Sequence, residues 1–142
     1  MPTSSRRSLR GRRSGSLGKR AHKYGAKRTR GHHAFREIAS RHFDSKFEAS
    51  VAVDLCIRQR AKEISDLKFQ QTVFLTEAKI SWKIDFSYME DGQLIYHEAK
   101  GCKTEAYSIK LKLYRTYGPA PLRVTEGSCT SKITREFIPR KG

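Results

Sequence analysis

The chain has 142 residues, enough for one domain with a real core and too few for two ordinary ones. Its net charge of +16 is uneven: residues 1–36 carry 12 Lys and Arg and no acid, while residues 37–142 carry 18 against 14 acids. No run of 18 apolar residues is present, which excludes a membrane-spanning helix, and the basic arm lacks the apolar stretch of a secretory signal.

Residues 1–33 are mostly Ser, Gly, Arg and Lys without periodicity, a composition expected to stay disordered without a partner. The arm has almost nothing apolar to insert into a lipid surface, so its natural partner is nucleic acid rather than a membrane. Arg12, Arg13, Lys19, Arg20, Lys23, Lys27, Arg28 and Arg30 are its candidate phosphate contacts. His22, His32 and His33 lack flanking Cys or acid at ligand spacing and are read with the arm. Phe35 to Phe43 reads as an irregular or strand segment.

A helix fits Ser45 to about Ala61, because Phe47, Val51, Leu55 and Cys56 recur at three-to-four-residue spacing. Asp44 or Ser45 can cap it. Glu48 lies on or beside the buried stripe and has two readings. In one it completes a capping box with Ser45; in the other it is a helix acid turned toward a site. Leu67 to Thr76 then reads as a strand rich in Phe, Val and Thr.

Ile80 to Gly101 reads as one β-hairpin. Ile80, Trp82, Ile84, Phe86 and Tyr88 alternate with polar residues, and are expected to form one apolar face with Ile95 and Ala99. Asp91-Gly92 is the dipeptide of a two-residue type I′ turn. With that turn Glu90 pairs with Gln93, which puts Asp85 opposite Glu98 and Lys83 opposite Lys100. Two carboxylates facing each other across a ladder are destabilising unless a positive charge lies between them. Asp85, Glu98 and Lys100 thus offer two hard oxygen ligands and an ammonium on one face, a set suited to Mg²⁺, with Mn²⁺ as its substitute. A solvated Lys–Glu ladder is the plainer alternative.

A second helix fits Thr104 to Tyr117, with Tyr107, Leu111 and Tyr114 as its apolar stripe and Gly118-Pro119 as its stop. Lys103, Lys110 and Lys112 are its candidate phosphate contacts, together with Lys83 on the hairpin. Tyr107 and Tyr114 are expected in the core. Leu122 to Thr125 reads as a short strand, and residues 128–142 as a polar tail. Cys56, Cys102 and Cys129 are odd in number, with no CxxC, which suits a reducing cytoplasm and gives no disulfide or zinc signature.

The order is α-β-β-β-α-β, an α/β fold with a small mixed sheet flanked by helices over residues 34–127. Asp85, twelve residues, then Glu98-Ala99-Lys100 on the next strand, with Glu48 on a preceding helix, resembles the PD-(D/E)XK nuclease superfamily. The likeness is greatest to a small phage-encoded branch catalogued as a domain of unknown function. Lys23–Lys27, Phe43–Ala49, Glu63–Leu67, Ile84-Asp85-Phe86, Glu98–Gly101 and the Thr104–Leu113 helix carry it. Ile84 stands where that motif has proline.

The resemblance implies a restriction-endonuclease-like core, with Glu48, Asp85 and Glu98 as metal ligands and Lys100 as the catalytic lysine. It implies a Mg²⁺-dependent endonuclease acting on DNA, including branched or junction DNA in phage recombination, in the host cytoplasm if phage-encoded. Resolvase-like cutting of two strands would require a homodimer. The competing expectation is a non-catalytic basic nucleic-acid binder, ribosomal-like or packaging-like, acting through the arm.

Overall fold

The structure, a computed structural model, describes residues 28–140. Along them run β1 (Thr29–Arg30), β2 (His42–Phe43), α1 (Lys46–Arg60), β3 (Ser65–Phe74), β4 (Ser81–Glu90), β5 (Gln93–Lys100), α2 (Glu105–Tyr117), β6 (Leu122–Ser128) and β7 (Ser131–Phe137). The expected αβββαβ order runs from α1 to β6. One sheet has the strand order β3-β4-β5-β6-β7, and β1 and β2 form a separate small ribbon. β5 and β6 are parallel and their other sheet neighbours antiparallel. A parallel pair needs a long crossover, and α2 supplies it.

Local chemistry sets the boundaries. Ser45 is extended, and its hydroxyl accepts from the Glu48 N–H, capping α1; Thr104 does the same for Tyr107 at the start of α2. The β4–β5 turn is as expected, with φ +50° at Asp91 and +74° at Gly92. The register from Glu90↔Gln93 to Phe86↔His97 follows from it.

Two apolar clusters lie on opposite faces of the sheet. Ile95 and Ala99 of β5 pack with Phe47, Val51 and Leu55 of α1, while the intervening Tyr96 packs with Tyr107 and Tyr114 of α2. The β4 stripe does not keep to one face. Phe86 and Tyr88 join the α1 cluster, but Trp82 and Ile84 join the α2 cluster, and Ile80 is exposed. The single apolar face expected from strict alternation is therefore corrected: the stripe changes layer at Asp85. Beside it β3 pairs Phe69 with Phe86 and Gln71 with Ile84, and the Gln70 between them has φ +55°. Trp82 meets both Tyr107 and Tyr114 edge-on, at 5.9 and 6.0 Å, contacts worth about 0.5–1.5 kcal/mol each beyond burial.

Two boundaries move. Residues 28–33 are not free chain, because Thr29 and Arg30 pair with Phe43 and His42, and the Gly31 N–H donates to Arg41 O. A side chain at Gly31 would place its Cβ 1.9 Å from Ile38 O. Residues 128–137 are not a tail outside the domain, because β7 extends the sheet along β6 from Leu122↔Phe137 to Ser128↔Ser131. Arg12, Arg13, Lys19, Arg20, Lys23 and Lys27, with His22 and the Lys23–Lys27 stretch, lie outside the described residues. No helix among the described residues is long and apolar enough to cross a membrane.

Candidate active site

The acids expected to act together do meet. Glu48 arrives on the first turn of α1, Asp85 at the layer change of β4, and Glu98 and Lys100 at the end of β5. All four line one cleft of ≈ 390 Å³, with Ser45, Trp82, Tyr107 and Lys110 among its other walls. The ladder pairs of β4 and β5 stop at Phe86↔His97. Beyond that point side chains take over the backbone donors. The Asp85 N–H donates to Glu98 Oε2 at 3.1 Å, and the Ala99 N–H donates to Asp85 Oδ2 at 3.0 Å.

Glu48 fulfils both of its readings. Its Oε2 accepts from the Asp44 N–H at 3.1 Å, a capping box displaced by one residue, while its carboxyl also bonds to that of Asp85. Gln70 Nε2 donates to Glu48 Oε1 at 3.3 Å.

Burial dominates the electrostatics. It pushes Glu48 up to about 8, with repulsion from Asp85 next, and pushes Asp85 up to about 8, with repulsion from Glu98 next. Glu98 rises to about 7, again mainly through burial, although the Asp85 N–H, Lys100 and Lys110 pull it down. Lys100 Nζ sits 4.9 Å from the Tyr107 ring centroid, a cation–π contact that holds it beside the acids. Three crowded carboxyls with one nearby ammonium call for protons or a further cation.

The expected ligand set of Glu48, Asp85 and Glu98 lines one cleft, with its three carboxyls unequally engaged. Among the described residues, no three His, Cys, Asp or Glu side chains are arranged to hold a metal ion. Glu48 lines the same cleft, but the Asp44 N–H and Gln70 Nε2 engage both of its oxygens, which leaves Asp85 and Glu98 as the less engaged pair. Each has one oxygen not taken by a backbone N–H. An all-oxygen pair fits a hard cation such as Mg²⁺, which keeps several waters and needs only one or two carboxylates.

The candidate phosphate contacts scatter. Lys110 lines the cleft. Lys103 is paired with Glu126 at 3.3 Å, and Lys112 is exposed and off the cleft wall. Arg30 Nε donates to Ala39 O at 2.9 Å, within the ribbon. Lys83 does not lie opposite Lys100, because the β4–β5 ladder ends before it. It pairs with Thr72 of β3 and lines a second hollow with Arg28, Arg41 and Gln70. Gln70 and Arg41 carried no sequence signal. A glutamine in a strand does not announce a positive φ, and an arginine in a basic stretch does not announce its aromatic neighbour.

Behind the cleft lies a buried polar chain that the sequence also concealed. Tyr88 Oη and His97 Nδ1 are 2.8 Å apart, His97 Nε2 and Thr125 Oγ1 2.6 Å, and Thr125 Oγ1 and Thr134 Oγ1 2.8 Å. Arg58 and Arg123 both pair with Glu90 at its margin. Burial and the two arginines drive His97 down to about 3, so it stays neutral.

The family described as a protein of unknown function (DUF1064) matches residues 21–126. The chain belongs to that family. The DUF1064 match takes in Glu48, Asp85, Glu98 and Lys100, and ends before β7. No curated protein and no solved structure matches the chain.

Proposed function

We propose that this protein is a Mg²⁺-dependent endonuclease that hydrolyses phosphodiester bonds in DNA. The observation that carries the reading is the joining of Glu48, Asp85, Glu98 and Lys100 in one cleft, from three separate elements. The resemblance of Asp85…Glu98-Ala99-Lys100 to the PD-(D/E)XK nucleases supports it, as does the αβββαβ order. The basic arm supports a nucleic acid as substrate.

Bound between Asp85 and Glu98, Mg²⁺ would polarise the phosphodiester and lower the pKa of an attacking water. The chain's own residues do the rest. Mutual hydrogen bonds to backbone fix Asp85 and Glu98 in place before substrate arrives, and Glu48 stands beside Asp85 on the cleft wall. Lys100, steadied over Tyr107, orients the water or neutralises charge developing on the phosphate. Lys110 presents a second cation from the cleft wall. Branched or junction DNA, a place in phage recombination and a homodimer that pairs two clefts are finer parts of the same proposal. The fold alone selects none of them.

The test is a cleavage assay on linear, nicked, flap and four-way-junction DNA, with Mg²⁺ and with EDTA. Cleavage in Mg²⁺ alone is expected, and Asp85→Ala or Lys100→Ala should abolish it. A variant that cuts at the wild-type rate would falsify the assignment. Salt-sensitive binding with no hydrolysis under any divalent metal would favour the non-catalytic binder instead.

A further inference from the structure

We infer that the hollow beside the cleft is a phosphate subsite for a nucleic-acid backbone, built from Arg28, Arg41 and Lys83. Its ≈ 340 Å³ lie against the cleft, because Asp44 and Glu48 line both. The site takes a phosphodiester flanking the one presented to Asp85 and Glu98; that last assignment rests on the nuclease reading above, whereas the binding itself does not.

Three cations from three segments converge here: Arg28 ahead of β1, Arg41 ahead of β2 and Lys83 on β4. Ion pairs neutralise cations elsewhere, as at Arg58, Lys103, Arg123 and Lys132, but among the described residues none reaches these three. Charges left open in a hollow are what an incoming anion needs.

The Arg41 guanidinium lies 4.2 Å from the centroid of the Phe69 ring, and Phe69 packs edge-on against the buried Phe86 at 5.8 Å. The cation–π contact steadies the Arg41 side chain, and a guanidinium is a fork of N–H donors able to grip phosphate oxygens in pairs.

The chain's charge also enters at this point. Arg28 directly follows residues 1–27, which carry nine Lys and Arg. The β1–β2 ribbon ties it to Asp44 and Ser45, and so to the start of α1 and Glu48. Asp44 and Glu48 share this lining with the three cations, so the subsite adjoins the acids of the cleft.

The test separates binding from chemistry. Duplex DNA binding is measured by fluorescence anisotropy in EDTA between 50 and 300 mM salt, on full-length Asp85→Asn protein with and without Arg41→Gln and Lys83→Gln. Each lost phosphate contact removes about 0.9 from the slope of log K against log salt, so the double change should flatten it by about 1.8. Lys62→Gln, just beyond the far end of α1, should leave the slope unaltered. If the double variant melts without a cooperative transition, Lys83→Gln alone, at an exposed residue, should still flatten it by about 0.9. With Asp85 intact and Mg²⁺ present, the Arg41 and Lys83 changes should raise KM and spare kcat.

An unchanged slope and affinity overturn the subsite even if the cleft variants are inactive. Anionic vesicles bound in preference to DNA, with the same residues required, also overturn it. A flattened slope with a wild-type protein that never cleaves leaves the subsite standing and removes the nuclease reading.

Discussion

Asp85 and Glu98 hold each other's strand by side chain where a ladder would use backbone: the Asp85 N–H donates to Glu98 Oε2, and the Ala99 N–H beside Glu98 donates to Asp85 Oδ2. The pair therefore has a structural task that an amide could perform and a charge that an amide could not supply. Asp85→Asn and Glu98→Gln keep an acceptor oxygen for each bond and remove one crowded negative charge. In EDTA at about pH 8 each variant should gain about 1–2 kcal/mol in urea unfolding, the range seen when a strained functional site is relaxed. Mg²⁺-dependent cleavage should fall by about 10²-fold or more. Mg²⁺ should raise the melting temperature of the wild type but not of the variants, since only a ligand that binds the native state stabilises it. A loss of stability in both variants would show that the charge itself holds the strands.

The same carboxyls set a pH dependence. Folding raises Glu98 from 4.5 to about 7, Glu48 from 4.5 to about 8, and Asp85 from 3.8 to about 8. Between the unfolded and folded values the native state holds more protons than the unfolded one. Their contribution to stability is fully present below the unfolded values and is lost as pH rises through the folded ones. His97 works in the opposite sense. Its value falls from 6.5 to about 3, so its contribution is present above the unfolded value and is lost as pH falls. From about pH 6.5 to about 9 the carboxyls should prevail, and metal-free protein should weaken steadily. Urea midpoints in EDTA across that window check this, with Mg²⁺ expected to flatten the decline. A midpoint that rises with pH there contradicts the argument.

Glu48 caps α1 and touches Asp85, and two substitutions divide those tasks. Glu48→Gln retains an acceptor for the Asp44 N–H, so thermal stability should hold within about 0.5 kcal/mol while cleavage drops. Glu48→Ala loses both, with a cost of about 1–2 kcal/mol in addition to the lost activity. Ser45→Ala should cost about 1 kcal/mol through the cap, and cleavage should fall less than for Glu48→Gln. Equal activity for Glu48→Gln and wild type would confine Glu48 to capping.

Much of the hairpin was legible because its code is local. Asp91-Gly92 sets the turn, the turn sets the register, and the register brings Asp85 to Glu98. The caps Ser45 and Thr104 were readable for the same reason. What alternation could not convey was the layer change at Asp85, because the period of two persists in the sequence while the backbone turns over. Lys83 was misplaced by that same event, since its expected position opposite Lys100 required the ladder to continue. β7 was missed because Lys132, Arg135 and Glu136 break its pattern, and an edge strand needs only one neighbour. The partners of Gln70, Arg41 and His97 are distant in the chain, and no local pattern encodes them.

His97 illustrates the last point and can be tested. It is buried beside Glu98 and carries no charge, so both ring nitrogens must find neutral partners, and Tyr88 and Thr125 provide them. Thr125→Val keeps the shape but leaves His97 Nε2 and the Thr134 hydroxyl without Thr125 Oγ1. An unmet buried polar group costs about 1–3 kcal/mol, so the variant should lose that much in urea unfolding. Thr125→Ser, which preserves the hydroxyl, should recover most of it. Because Thr125 pairs with Ala99, next to Glu98, the Val variant should also lower kcat at unchanged KM if the chain steadies the acid pair. A Val variant as stable as the wild type would show that the Thr125 hydroxyl and its hydrogen-bonded chain contribute nothing to stability.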